Sequence, residues 1–120
     1  MQVAIPYTVT FTGQQLADFF TTAFEGGSNY WVDTAYPLGE IAKTSPWYAD
    51  PEYWVKPFTV HMIECEGDIL EFNDFMLQKG LTKLSQDDPL TFGDLVSGEY
   101  DADTADTLLQ YVCFLELVYG

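Results

Sequence analysis

The stretch FTVHMIECEGDILEFN, residues 58–73, decides the fold class. Phe58–Glu64 and Asp68–Phe72 are two runs of strand length, rich in apolar and β-branched residues, with Cys65-Glu66-Gly67 between them. That pattern predicts a β-hairpin. Asn73 then offers its side chain as the cap of a helix carrying Phe75, Met76, Leu81 and Leu84. A hairpin that runs directly into a helix calls for a small antiparallel sheet covered by helices, so the expected class is α+β in a single domain over residues 1–120.

Working toward the C-terminus, Asp88-Pro89 opens a short helix through Val96, with proline at the first helical position and Gly98 past the end. Asp101 caps a last helix from Ala102 to Val118, whose Leu108, Leu109, Val112, Cys113 and Leu117 form the buried stripe. Asp103 and Asp106 fall in or near its first turn, where the helix dipole favours anions.

Toward the N-terminus, Asn29–Tyr36 reads as a strand. Before it, Leu16, Phe19, Phe20, Ala23 and Phe24 recur at helical spacing behind a Thr12/Gln15 capping box. Gly26-Gly27 is expected to stop that helix in the left-handed conformation. Residues 3–11 alternate, with Val3, Ile5, Tyr7, Val9 and Phe11 on one face, and predict one edge strand containing Pro6. Pro37–Pro57, with four prolines, is expected to be a long loop with one short helical turn.

The composition narrows the function. Nineteen Asp and Glu face four Lys, one His and no Arg, for a net charge of −15. Nucleic acid and anionic membranes both require a basic patch, so neither is an expected partner. A basic protein surface is. Apolar residues make up 48% of the chain, which argues for a folded core rather than disorder. No apolar run reaches membrane-span length, and the first residues lack signal-peptide character. Cys65 and Cys113, without metal spacing, are expected to be reduced core thiols of a cytosolic protein.

Catalysis finds little support. His61 stands alone inside a strand pattern with no recognisable nucleophile beside it. Without Arg there is no bidentate phosphate clamp. Asp101–Asp106 resembles the start of a calcium loop, but the position for the bidentate Glu is Val112 and the required glycine is missing. No cofactor, metal or catalytic residue is expected.

Three segments remain as candidates. Gly26-Gly27-Ser28-Asn29-Tyr30-Trp31 is either a small-molecule pocket roofed by aromatics or a helix end followed by a core strand. Trp47, Tyr48, Tyr53 and Trp54 either anchor a protein partner or cover the sheet as further core. The acids are unevenly spread: the first 24 residues carry one, Glu64–Asp74 five and Asp87–Asp106 seven. Glu64, Glu66, Asp68, Glu71 and Asp74 make one candidate patch, and Asp101, Asp103 and Asp106 a second.

The strings EGGSNYW, residues 25–31, and DADTADTLLQYVCFLELVYG, residues 101–120, together resemble a family of small acidic bacteriophage proteins of unassigned role. That family carries EGG-[SI]-NYW after its first helix and closes on D-A-x-x-x-D-x-x-L-Q-x-x-x-F-x-E-x-x-Y-G. Asp101, Asp106, Gln110, Phe114, Glu116, Tyr119 and Gly120 occupy the second pattern; residues 37–57 match nothing in it. The resemblance implies a phage product in the cytoplasm of an infected bacterium. In that setting small acidic proteins inhibit host nucleases, restriction systems and CRISPR complexes, often as DNA mimics. Acids two apart on an extended strand lie about 6.5 Å from each other, comparable to neighbouring phosphates. The expected function is therefore anti-defence inhibition through a basic nucleic-acid-binding host surface. A nucleotide-signal binder, or a structural or assembly protein that forms a homo-oligomer, are the alternatives.

Overall fold

The hairpin that the sequence marks is the centre of the fold. A computed structural model of the chain describes residues 1–4, 8–39 and 46–120. With the strands and helices numbered in chain order, β4 (Thr59–Glu64) and β5 (Ile69–Asn73) pair antiparallel, His61 opposite Glu71 and Ile63 opposite Ile69. β3 (Val32–Pro37) lines the other side of β4, giving the order β3-β4-β5. The strand period of two sends Val60, Met62 and Phe72 into the core and turns Tyr36, His61, Ile69 and Glu71 outward. The class is α+β, as expected.

Three helices follow the hairpin. α2 (Asp74–Asp87), α3 (Pro89–Ser97) and α4 (Ala102–Phe114) start where Asn73, Asp88 and Asp101 accept the backbone N–H of Met76, Thr91 and Thr104. Gly98 ends α3 in the left-handed conformation, at φ 81°. α2 and α4 cross closely at Gly80, where an added Cβ would sit 2.8 Å from the Val112 Cα.

α1 (Gly13–Thr22) carries the predicted capping box, with Thr12 and Gln15 exchanging bonds. Its Phe20 stacks on Trp54 at 4.1 Å and on Phe72 of β5 at 5.6 Å. The segment before β4 forms two 3₁₀ turns, Trp47–Ala49 and Tyr53–Val55, rather than one helical turn. Residues 40–45 of that predicted loop lie outside the described residues.

Several boundaries differ from the sequence reading, each for a physical reason. The single N-terminal strand is two, β1 (Gln2–Ala4) and β2 (Thr8–Thr10), paired antiparallel with Val3 opposite Val9. Alternation cannot separate the two cases, because residues of equal parity face each other across such a pair; Ile5, Pro6 and Tyr7 lie outside the described residues.

Gly26 and Gly27 are not left-handed; among glycines only Gly39, Gly67 and Gly98 have positive φ. α1 instead widens into a π-helical turn, Ala23–Gly27, closed by Ser28 N–H on the Ala23 carbonyl at 2.8 Å. Glycine is needed at position 27 for another reason: a Cβ there would lie 2.2 Å from the Ala102 carbonyl oxygen at the head of α4. α4 ends at Phe114 rather than Val118, and Leu117 is 58% exposed instead of buried.

Candidate functional site

The two strings that stand out in the sequence, residues 25–31 and 101–120, meet in space. Asp106, on the second turn of α4, is only 7% exposed. Its Oδ1 accepts Ser28 Oγ–H and Trp31 Nε1–H, each at 2.7 Å. Its Oδ2 accepts Tyr30 O–H at 2.6 Å and Gln110 Nε2–H at 3.0 Å. An ionised carboxylate has about four lone-pair positions, so these four neutral donors satisfy it without a cation. Burial, then the hydrogen bond to Asp106, pushes the Tyr30 hydroxyl up to about 12.

Gln110, one turn further along α4, extends this network to the tail. Its Oε1 accepts the backbone N–H of Val118 and Tyr119, both at 2.8 Å. These bonds draw the chain back across α4 and explain why the helix stops early. Tyr119 lies flat on Trp31, at 5.0 Å and 13° between ring planes, and its hydroxyl donates to Glu64 at the end of β4. The Glu64 hydrogen bond leads, with burial and the charges of Glu64, Glu66 and Asp68 behind it, in raising the Tyr119 hydroxyl to about 12. Ser28, Tyr30, Trp31, Glu64, Asp106, Gln110 and Tyr119 thus form one connected polar and aromatic joint between the sheet and α4.

Two predicted patch residues are therefore corrected. Glu64 is 6% exposed and Asp106 7%, and both spend their carboxylates inside the joint, so neither is a surface charge. Glu64 is the last residue of β4, in the same inward phase as Val60 and Met62; a sequence phase count along β4 would have exposed this. Of the primary patch, Glu66, Asp68 and Glu71 are exposed and Asp74 half-exposed. Glu71 pairs with His61 across the hairpin at 2.8 Å. Of the secondary patch, Asp101 and Asp103 are exposed. Asp101 is held below the usual carboxylate range by the backbone and hydroxyl hydrogen bonds it accepts from Thr104 as the α4 cap.

The aromatic segment resolves toward the core. Trp54 is 1% exposed and Tyr53 9%, and Trp54 Nε1–H donates to the Tyr48 carbonyl. Trp47 and Tyr48 are half-buried against Phe24, with the Tyr48 hydroxyl on Glu25 at 2.7 Å. None of the four is a free anchor. Cys65 is exposed at the hairpin turn, which corrects its core assignment, while burial pushes the Cys113 thiol far up; both are unpaired thiols.

Within the Gly26–Trp31 segment the side chains of Ser28, Tyr30 and Trp31 are turned toward α4. Ser28 and Trp31 donate to Asp106, and Gly27 presses on α4. A shallow cleft of about 420 Å³ does open beside the joint, lined by Tyr30, Asp103, Thr107, Leu117 and Tyr119 among others. It relates the two acidic patches. Asp103 lines the cleft, while Tyr119 on its rim reaches Glu64 at the end of β4, two residues before the exposed Glu66 of the hairpin turn.

Comparison with known proteins adds no identity: no protein-family model, curated protein or solved structure matches the chain. No helix among the described residues is long and apolar enough to cross a membrane.

Proposed function

We propose that the chain is a phage-encoded anti-defence inhibitor that occupies a basic, nucleic-acid-binding surface of a host protein complex by DNA mimicry. The carrying observation is that Glu66, Asp68, Asp101 and Asp103 are exposed carboxylates at the two ends of one joint, Glu66 and Asp68 at the hairpin turn next to the Glu64 that receives Tyr119, and Asp101 and Asp103 at the head of the α4 that carries Asp106. Among the described residues the lysine–carboxylate pair Lys83–Asp87 and the His61–Glu71 hydrogen bond are the only such contacts, and neither involves Glu66, Asp68, Asp101 or Asp103. A surface evolved to hold phosphates meets there an array of uncompensated negative charge on a rigid support. The support is rigid because Asp106 and Gln110 lock the tail, the turn before β3 and α4 together.

The working surface is narrower than composition suggests. It contains Glu66, Asp68, Asp101 and Asp103, flanked by Glu71 and Asp74, and excludes Glu64, Asp106 and the tryptophans. Phage origin and a bacterial cytoplasm belong to this proposal through the resemblance of the two strings.

The test is affinity capture from bacterial lysate with the wild-type chain and with a variant carrying Glu66→Gln, Asp68→Asn, Asp101→Asn and Asp103→Asn. Asparagine caps a helix as well as aspartate does, so the variant keeps its fold. The proposal expects a nucleic-acid-binding protein that only the wild type retains and that duplex DNA displaces. Equal retention by the variant, in the presence of DNA, would refute it.

A further inference from the structure

A second surface has the opposite electrostatic character. Along the outer face of α2 runs a groove of about 640 Å³ lined by Phe75, Lys79, Lys83, Leu115 and three uncharged polar residues. Nearly one residue in six of this chain is acidic, yet none of the lining residues is, and two of the four lysines stand there. Phe75 is 72% exposed and Leu115 40% exposed, so the floor is apolar and open. Leu115 is the only described non-glycine residue with positive φ, at 61°. Glycine takes that conformation without strain, and what leucine adds at the end of α4 is an apolar wall for this groove.

The groove calls for an apolar side chain flanked by carboxylates. A two-fold pairing of two grooves would set lysine against lysine, and a basic host surface would be repelled by the same charges. The chain itself displays the required feature at its hairpin tip. Ile69 is 71% exposed, and beside it Glu66 and Asp68 make no side-chain hydrogen bond or ion pair among the described residues. Leu90, at 84% the most exposed aliphatic residue described, is less suitable because its neighbouring acids are engaged. Asp88 caps Thr91, and Asp87 holds Lys83 and Tyr111. The Lys83–Asp87 pair is exposed and weak, so Lys83 remains free to exchange partners.

Tip and groove cannot meet within one molecule. β5 separates them, and its residues 69–73 span about 16 Å at the rise of a strand. We infer that the α2 groove receives the hairpin tip of a second copy of this chain, with Ile69 between Phe75 and Leu115 and with Glu66 and Asp68 facing Lys79 and Lys83. The contact joins two different surfaces, so the rotation it imposes decides whether it is reciprocated in a two-fold dimer, closes into a ring or runs on as an open chain. It does not depend on the host target. It does compete with it, since Glu66 and Asp68 serve both surfaces.

Sedimentation velocity with two charge-reversed variants tests the inference. One carries Lys79→Glu and Lys83→Glu, the other Glu66→Lys and Asp68→Lys; all four positions are surface positions, so both variants fold. The wild type is expected to sediment faster as its concentration rises, and each variant alone as a monomer. An equimolar mixture regains association, because the acidic tip of the first fits the lysine groove of the second, and the reversed pair fits as well. Both variants remain strongly acidic overall, so attraction between net charges cannot produce that result. Phe75→Ser in the wild type abolishes association while circular dichroism stays unchanged. A mixture that remains monomeric, a wild type that never associates, or association that survives both reversals overturns the inference.

Discussion

The Asp106 carboxylate accepts the Trp31 indole N–H at 2.7 Å across 75 positions of sequence, and through that bond the first helix's exit turn is tied to the last helix. The two strings that stand out in the sequence are two halves of one joint, with Ser28, Trp31, Asp106 and Gln110 buried at its centre and Tyr30 half-exposed at its rim. Their residue types follow from its chemistry. Ser28, Tyr30 and Trp31 each supply a donor, Asp106 supplies the acceptors, and Gln110 offers both.

Removing the acceptor is expected to be costly. Asp106→Ala leaves buried donors of Ser28 and Trp31 without a partner, and the loss is about 3–5 kcal/mol. Asp106→Asn also destabilises, since its amide turns N–H groups toward N–H groups. Urea unfolding followed by circular dichroism measures both, with Asp103→Asn as a neighbouring exposed control that leaves the midpoint in place.

The tyrosines predict an alkaline transition. Tyr30, Tyr48, Tyr53 and Tyr119 are raised to about 12 from an ordinary value of 10. A folded-state pKa above the unfolded one means that the stabilisation is fully present below pH 10 and is lost as pH rises through about 12. Tyrosinate absorbance is expected to rise in two phases, with these residues ionising late and together with the loss of tertiary structure. Ionisation of all eight tyrosines near the ordinary value would contradict the joint.

Glycines separate close packing from helix propensity. Gly80→Ala improves propensity but drives a methyl group to 2.8 Å from the Val112 Cα, so it lowers stability by about 1–3 kcal/mol. Gly93→Ala, on α3 with nothing within 4 Å, raises stability by about 0.5–1 kcal/mol. Thermal midpoints of the pair should move in opposite directions.

The buried position of Trp54 gives a further contrast. Trp54→Ala removes a ring stacked on Phe20 at 4.1 Å and is expected to cost about 3–5 kcal/mol. Emission from the native protein should be blue-shifted and poorly quenched by neutral acrylamide, since Trp31 and Trp54 are 2% and 1% exposed and Trp47 is half-buried. An anchor waiting for a partner would show the reverse: strong quenching and little loss of stability.

Much of the fold was legible because local signals decide it. The caps at Thr12, Asn73, Asp88 and Asp101, the proline at the head of α3 and the hairpin at Cys65-Glu66-Gly67 all form where residue chemistry places them. What escaped was set by distant contacts. Alternation over residues 3–11 suits a hairpin as well as a strand. Gly27 answers to the Ala102 carbonyl, 75 residues away, rather than to its own φ. Helix periodicity through Val118 gives no sign that Gln110 will bind the tail backbone. The acidic patches were partly legible: Glu66, Asp68, Asp101 and Asp103 are exposed, but counting charge alone could not distinguish them from Glu64 and Asp106, whose donors come from other segments.

The most direct test of the functional account is the salt dependence of affinity for the captured host protein, compared between the wild type and the Glu66→Gln, Asp68→Asn, Asp101→Asn, Asp103→Asn variant. The account predicts that wild-type affinity falls steeply with ionic strength, while the variant binds at least tenfold more weakly with a flattened slope, corresponding to about 1.4 kcal/mol or more of lost electrostatic binding. Equal affinity and equal slope for the two proteins would contradict it.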